Sequence, residues 1–224
     1  MILFKRLMIT FANQKDEIMY KTKLKISNVN NLTDARYCAA REVDFISYAL
    51  DSVENGIDLL KIKAIKEWVE GPKTIIEVGL ESQEFLKEIF ANTHPAYIQI
   101  PTYYDFNVSL QTDFPIIKEI IIENPINKSL INYQLKTWGN IPYLFDFSKN
   151  GISWRMLKSM DIMYFQNIMN QLDIWVDIHA EPNEWDELIS TISPIGISIK
   201  SNGEEKTGYK SFDELDEILD ILSI

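Results

Sequence analysis

Asp146 ends the apolar run Pro142 to Phe147, and a carboxyl at the end of such a strand is placed to exchange a proton with a ligand. The same carboxyl would equally serve as the hydrogen-bonded start of the loop Phe147-Ser148-Lys149-Asn150-Gly151. His179 follows the run Ile174 to Ile178 and carries an imidazole, which titrates near neutrality and suits acid or base work. A solitary loop histidine also serves as a solvent-facing group. Ser27 ends the run Leu24 to Ser27, and its hydroxyl becomes a base only beside a strong partner such as histidine. Neither His94 nor His179 can be placed beside it from the sequence. His94 precedes Pro95 on the approach to a strand, at the opposite end from the chemistry. Cys38, the single cysteine, lies between Ala35 and Ala39 in a helical stretch, where a small packed side chain is expected. No Cys and His fall at metal-ligand spacing, so neither a metal nor a cofactor is expected.

Positioning these groups requires regular elements. Eight short apolar runs alternate with stretches of helical period: Leu24 to Ser27, Asp44 to Leu50, Thr74 to Leu80, Ala96 to Ile100, Ile116 to Ile122, Pro142 to Phe147, Ile174 to Ile178 and Ile195 to Ile199. That alternation predicts βα units around a parallel sheet, whose strands are buried on both faces and read as continuous apolar runs. Trp185, Leu188, Ile189 and Ile192 recur at helical spacing behind Pro182, which suits a first turn. Ser211 and Glu214 stand at capping-box spacing before a last helix that buries Phe212, Leu215, Ile218, Leu219 and Leu222. The segment 103–114 has little helical period and reads as an irregular connection. The expected fold is therefore α/β, a TIM (β/α)8 barrel in one domain over 21–224, preceded by a short N-terminal extension over 1–20.

Composition narrows the ligand. With 33 acidic and 22 basic residues the net charge is −11, a field that repels polyanions, so nucleic acid is excluded as a partner. Only eight glycines occur in 224 residues, about half the usual share of roughly 7%. Loops that cradle phosphate need glycine for close backbone approach, which weakens a phosphate-binding reading. Lys5, Arg6 and Lys15 interrupt the first apolar stretch, no apolar run reaches a bilayer span, and one cysteine precludes an internal disulfide. A cytoplasmic protein without a membrane partner is expected.

The stretch Leu24-Lys25-Ile26-Ser27-Asn28-Val29-Asn30-Asn31-Leu32-Thr33-Asp34-Ala35 resembles the opening K-I-C-G-[IL]-T-x-x-x-D-A of phosphoribosylanthranilate isomerases. The likeness continues in order: Ala39 to Ser47 against A-A-x-x-G-A-D-x-[IL]-G, Ala96 to Pro101 against x-x-V-Q-L-H, Leu144-Phe145-Asp146 against L-L-D, and Pro194 to Ile199 against P-x-G-V-D-V. The resemblance implies an Amadori rearrangement in tryptophan biosynthesis, in which a general acid opens the ribose ring and a general base removes the C2′ proton. It places the acid at Asp146 and the base at Ser27, where the family has cysteine. A thiol titrates near 8.5, whereas a hydroxyl has essentially no anion at neutral pH, so the base is expected to be lost.

The substrate-binding positions also depart from the pattern. The family's A-G-G-L-x-P-E-N becomes Asp177 to Glu184, with Ile178 and His179 in place of the two glycines. The D-V-S-S-G-V-E segment becomes Ser198 to Glu205, keeping Ser201 and Gly203 and gaining Lys200 as a cation. The P-K-S-x-R-Y segment becomes 51–56 without its arginine, and the histidine of Q-L-H becomes Pro101. Lys200, Ser201, Gly203 and His179 are the expected ligand contacts, for a small anionic or sugar-like molecule at the C-terminal barrel face. Three functions compete: a diverged isomerase-like barrel without the reaction, a working isomerase using Asp146, and a non-catalytic interaction module.

Overall fold

A computed structural model describes residues 18–50, 53, 56–104, 114–201 and 211–224. Eight strands, β1 (Lys23–Ser27), β2 (Phe45–Ala49), β3 (Lys73–Glu77), β4 (Tyr97–Ile100), β5 (Ile116–Ile121), β6 (Tyr143–Asp146), β7 (Ile174–Asp177) and β8 (Gly196–Lys200), pair in parallel in chain order. β8 returns to β1, with Lys25 opposite Ser198 and Ser27 opposite Lys200, and closes the barrel. Each strand falls on an apolar run expected to form one. Around them lie α1 (Leu32–Ala40), α2 (Leu59–Lys66), α3 (Gln83–Thr93), α4 (Lys128–Trp138), α5 (Trp154–Met160), α6 (Ile162–Met169), α7 (Trp185–Ile192) and α8 (Asp213–Leu222). None of the described helices is long and apolar enough to cross a membrane.

Side chains along a strand alternate between the helix layer and the barrel axis, which divides the core in two. Ile26, Ile46, Ile76, Ile98, Ile120, Phe145, Val176 and Ile197 belong to the large outer core with the helices. Phe45, Ile75, Ile117, Leu144 and Trp175 form a separate small cluster within the barrel. Gly196 makes room for it: a Cβ there would lie 2.2 Å from the Trp175 ring and 2.8 Å from the Lys23 carbonyl oxygen. Cys38 is buried on α1, as its alanine neighbours suggest.

Several local expectations are refined. α8 starts at Asp213, and the Ser211 hydroxyl accepts from the Asp213 amide at 3.1 Å, two residues on, where a capping box reaches three. Phe212, stacked on Tyr37 with centroids 4.0 Å apart, occupies the cap position. Pro182 opens a short 3-10 turn ahead of α7 instead of the helix itself. Most of the segment 103–114 and residues 1–17 lie outside the described residues, so the irregular connection and most of the N-terminal extension do too. The part of the extension that is described runs beside the chain's end: Tyr20 bridges Ser223 in antiparallel fashion, and the Lys21 amide donates to the Leu222 carbonyl oxygen.

One buried cation supports the exit of β4. Lys118 points out of β5 toward the helix layer, where its ammonium donates to the carbonyl oxygens of Pro101, Thr102 and Tyr104 at 2.7 to 3.1 Å and lies 4.7 Å from the Trp138 ring centroid.

Candidate active site at the barrel mouth

Two residues beyond the inner apolar cluster, the same strands turn polar. Ser47, Glu77, Glu119, Asp146 and Asp177 follow Phe45, Ile75, Ile117, Leu144 and Trp175 at i+2, and Lys25, Gln99 and Ser198 complete the layer from β1, β4 and β8. This polar layer floors a cavity of about 240 Å³ at the C-terminal ends of the strands, joined by Ser27, Asn28, Lys149 and Lys200. Barrel enzymes carry their chemistry at this end.

The charges are arranged in pairs. Lys25, almost fully buried, lies 3.0 Å from the Glu77 carboxylate and donates to Gln99 Oε1 at 2.5 Å, while the Ser47 hydroxyl donates to Glu77 at 2.5 Å. Burial opposes ionisation of Glu77, yet the Lys25 charge and these hydrogen bonds hold its pKa below the ordinary value. Lys149, from the turn after β6, reaches Glu119 at 2.5 Å and Asp146 at 3.5 Å, and its amide donates to Asp146 Oδ1 at 2.8 Å. Burial pushes the Glu119 pKa up despite that ion pair, and the Asp146 and Glu77 charges push the same way. Asp177 lies opposite Asp146 in the β6–β7 register. Burial, then the Asp146 charge, raises its pKa against the pull of Lys200 and a hydrogen bond from Ser148.

Chemically, the mouth holds carboxyls in unlike environments. Two of them, Glu119 and Asp177, retain protons to higher pH than an exposed acid, while Glu77 stays ionised. Such a split sets the order in which these carboxyls take up a proton as pH falls, Glu77 after Glu119 and Asp177. Three lysines against four carboxylates leave no cationic excess to attract a phosphate dianion.

The residues expected from the sequence fall in different places. Asp146 is buried in the cavity wall, its Oδ1 accepting from the Lys149 amide and its Oδ2 lying 3.5 Å from the Lys149 ammonium. Ser27 also lines the cavity, but its hydroxyl donates to the Ile199 carbonyl oxygen at 3.3 Å, and no histidine bonds to it among the described residues. Lys200 stands at the rim. Ser201 is turned into the fold: its amide donates to the Ser27 carbonyl oxygen at 2.8 Å and its hydroxyl to Asp34 at 3.2 Å. His179 is exposed, 3.5 Å from Glu181, and lines a neighbouring cavity beyond β7. Gly203 lies outside the described residues.

Glu77, Glu119, Gln99, Lys25 and Lys149 were not singled out in the sequence. The signal was there for three of them: Glu77, Glu119 and Gln99 are polar residues inside strand runs, two positions after Ile75, Ile117 and Tyr97 on the same face, whereas Lys25 stands between Lys23 and Ser27 and carried no such mark.

Together these features define a closed (β/α)8 barrel with a polar, acid–base-capable mouth. The barrel is similar to phosphoribosylanthranilate isomerase from Thermotoga maritima, with a TM-score of 0.74 at 15% identity, covering 90% of this chain and 98% of the other. The same enzyme class from Thermus thermophilus gives 0.69 at 16% identity over 90% and 98%, and a phosphoribosylanthranilate isomerase in complex with reduced 1-(o-carboxyphenylamino)-1-deoxyribulose 5-phosphate gives 0.72 at 14% over the same shares. A 3-hexulose-6-phosphate synthase from Salmonella typhimurium gives 0.61 at 12% identity. At such identities the likeness is one of fold. No family model and no curated protein matches the chain.

Proposed function

We propose that this protein is an isomerase-like barrel that binds a small polar molecule at its mouth and does not catalyse the phosphoribosylanthranilate rearrangement. The observation that carries this reading is Ser27, whose hydroxyl stands at the expected base position and, among the described residues, has the Ile199 carbonyl oxygen as its hydrogen-bond partner. A hydroxyl so placed has no means of losing its proton at neutral pH. The loop after β7 supports the same conclusion, because Ile178 and His179 carry side chains where close backbone approach to an anion needs glycine. A single buried thiol suits work in the cytoplasm.

The test is direct assay of the purified protein with phosphoribosylanthranilate, together with expression in a tryptophan-requiring strain. No turnover and no growth are expected. Turnover that Asp146→Asn abolishes would establish instead the competing reading of a working isomerase, which the position of Asp146 in the cavity wall favours.

A further inference from the structure

Glu77 and Gln99 are paired neighbours in the β3–β4 register, and the ammonium of Lys25 holds both. An ammonium only donates, so it fixes the Gln99 amide with Oε1 toward Lys25 and turns Nε2 away. On Glu77 a single oxygen, Oε1, meets both Lys25 at 3.0 Å and the Ser47 hydroxyl at 2.5 Å. Glu77 Oε2 and Gln99 Nε2 are therefore left without a hydrogen-bond partner among the described residues. Neither is a buried unbonded atom, so each keeps accessible surface, and the mouth cavity that both side chains line is the space it opens on.

The two free atoms are of opposite kind. Against the effect of burial, the Lys25 charge and the Ser47 hydroxyl hold Glu77 ionised, so Oε2 only accepts. Gln99 Nε2 only donates. A ligand that satisfies both gives a proton at one point and offers a lone pair at the next. Adjacent hydroxyls do this, because each carries one proton and two lone pairs. The wall favours the same chemistry: Ala49, Val53 and Leu144 are its only apolar side chains among the described residues, too few to cover a ring. Its volume of about 240 Å³ lies below the roughly 300 Å³ at which sites for drug-sized ligands begin, so the occupant is small and polar along its length. On β5, Glu119 meets Lys149 through Oε1, which leaves its Oε2 for a further hydroxyl.

We infer that the mouth binds a short uncharged polyol, one hydroxyl donating to Glu77 Oε2 and its vicinal neighbour accepting from Gln99 Nε2. The assignment rests on the proposed reading of the mouth as a site for a small polar molecule, and it names the class of that molecule and the two side chains that select it.

Calorimetric titration of the whole chain with erythritol and with 1,4-butanediol tests it, since both are four-carbon chains and only the first has adjacent hydroxyls. Erythritol is expected to saturate, and 1,4-butanediol to bind about tenfold more weakly or less, the loss expected when a hydrogen bond to a charged group is not made. Gln99→Glu keeps an oxygen toward Lys25 and replaces the free donor with an acceptor, so the advantage of erythritol over 1,4-butanediol should shrink about tenfold. Glu77→Gln replaces the free acceptor with a donor and should do the same. Thermal melting establishes that each variant is folded, and the comparison of the two ligands on the parent chain decides the matter without either variant. No saturation by erythritol, equal affinity for the two ligands, or an unchanged erythritol advantage in folded Gln99→Glu would each overturn the inference. Turnover of phosphoribosylanthranilate, measured separately, would overturn the reading of the mouth, so the two failures are told apart.

Discussion

At the scale of single residues, the polar layer sets Lys25 and Glu77 where neither charge is tolerable without the other. Removing one partner of such a pair strands the other, a loss of about 3 to 5 kcal/mol in comparable cases. Glu77→Gln is therefore expected to destabilise the barrel by about 3 kcal/mol in urea unfolding, and adding Lys25→Met should recover much of it. A double-variant loss equal to the sum of the Glu77→Gln and Lys25→Met losses would show that the pair is uncoupled. Asp177 behaves in the opposite sense. Its folded pKa is raised above the ordinary 3.8, so the folded state holds its proton more tightly, and stability falls as pH climbs from that value through the raised one. Asp177→Asn removes this penalty. Its Tm should exceed that of the parent by a few degrees at pH 8, since about 1 kcal/mol moves a domain of this size by about 2 to 4 °C. The gain should vanish near pH 4. Glu77, with its pKa lowered, contributes stability that is present above the ordinary carboxylate range and is lost as pH falls through the lowered value.

At the scale of elements, β7 and β8 interlock through one missing side chain. Gly196→Ala would drive a methyl group into Trp175 and the Lys23 carbonyl oxygen, a form of overpacking that typically costs about 1 to 3 kcal/mol. A lower urea midpoint is expected, with partial recovery on adding Trp175→Leu; no recovery would mean that the Lys23 backbone is the harder obstacle. The strands were legible because burial on both faces leaves a continuous apolar run, as in Ile120-Ile121-Ile122. The start of α8 was not, because its first turn depends on Phe212 stacking against Tyr37, a contact between residues far apart in the chain. Lys118 shows the same limit. Its sequence neighbours mark an apolar strand, and only the return of 101–104 past β5 supplies the carbonyl oxygens that make burial of its charge tolerable.

At the scale of the whole molecule, closure of the barrel and the excess of acids act together on what can bind. Reduced 1-(o-carboxyphenylamino)-1-deoxyribulose 5-phosphate, the compound bound in one of the similar isomerase structures, is expected to leave the Tm unchanged. A ligand at a hundred times its Kd would add about 2.7 kcal/mol, a rise of about 5 to 10 °C for a domain of this size, so the comparison is decisive by thermal melting. The amino-acid sequence by itself determined the eight βα units, the parallel class and the side chains at Ser27, Ile178 and His179, because those depend on local period and residue type. Tertiary structure decided the rest. Closure of β8 onto β1 joins polar residues from eight separate strands into one layer, and the packing of the strands pairs Lys25 of β1 with Glu77 of β3 and brings Lys149, after β6, to Glu119 of β5. Which charges neutralise each other, and hence which ligand the mouth admits, follows from distances that no single segment contains.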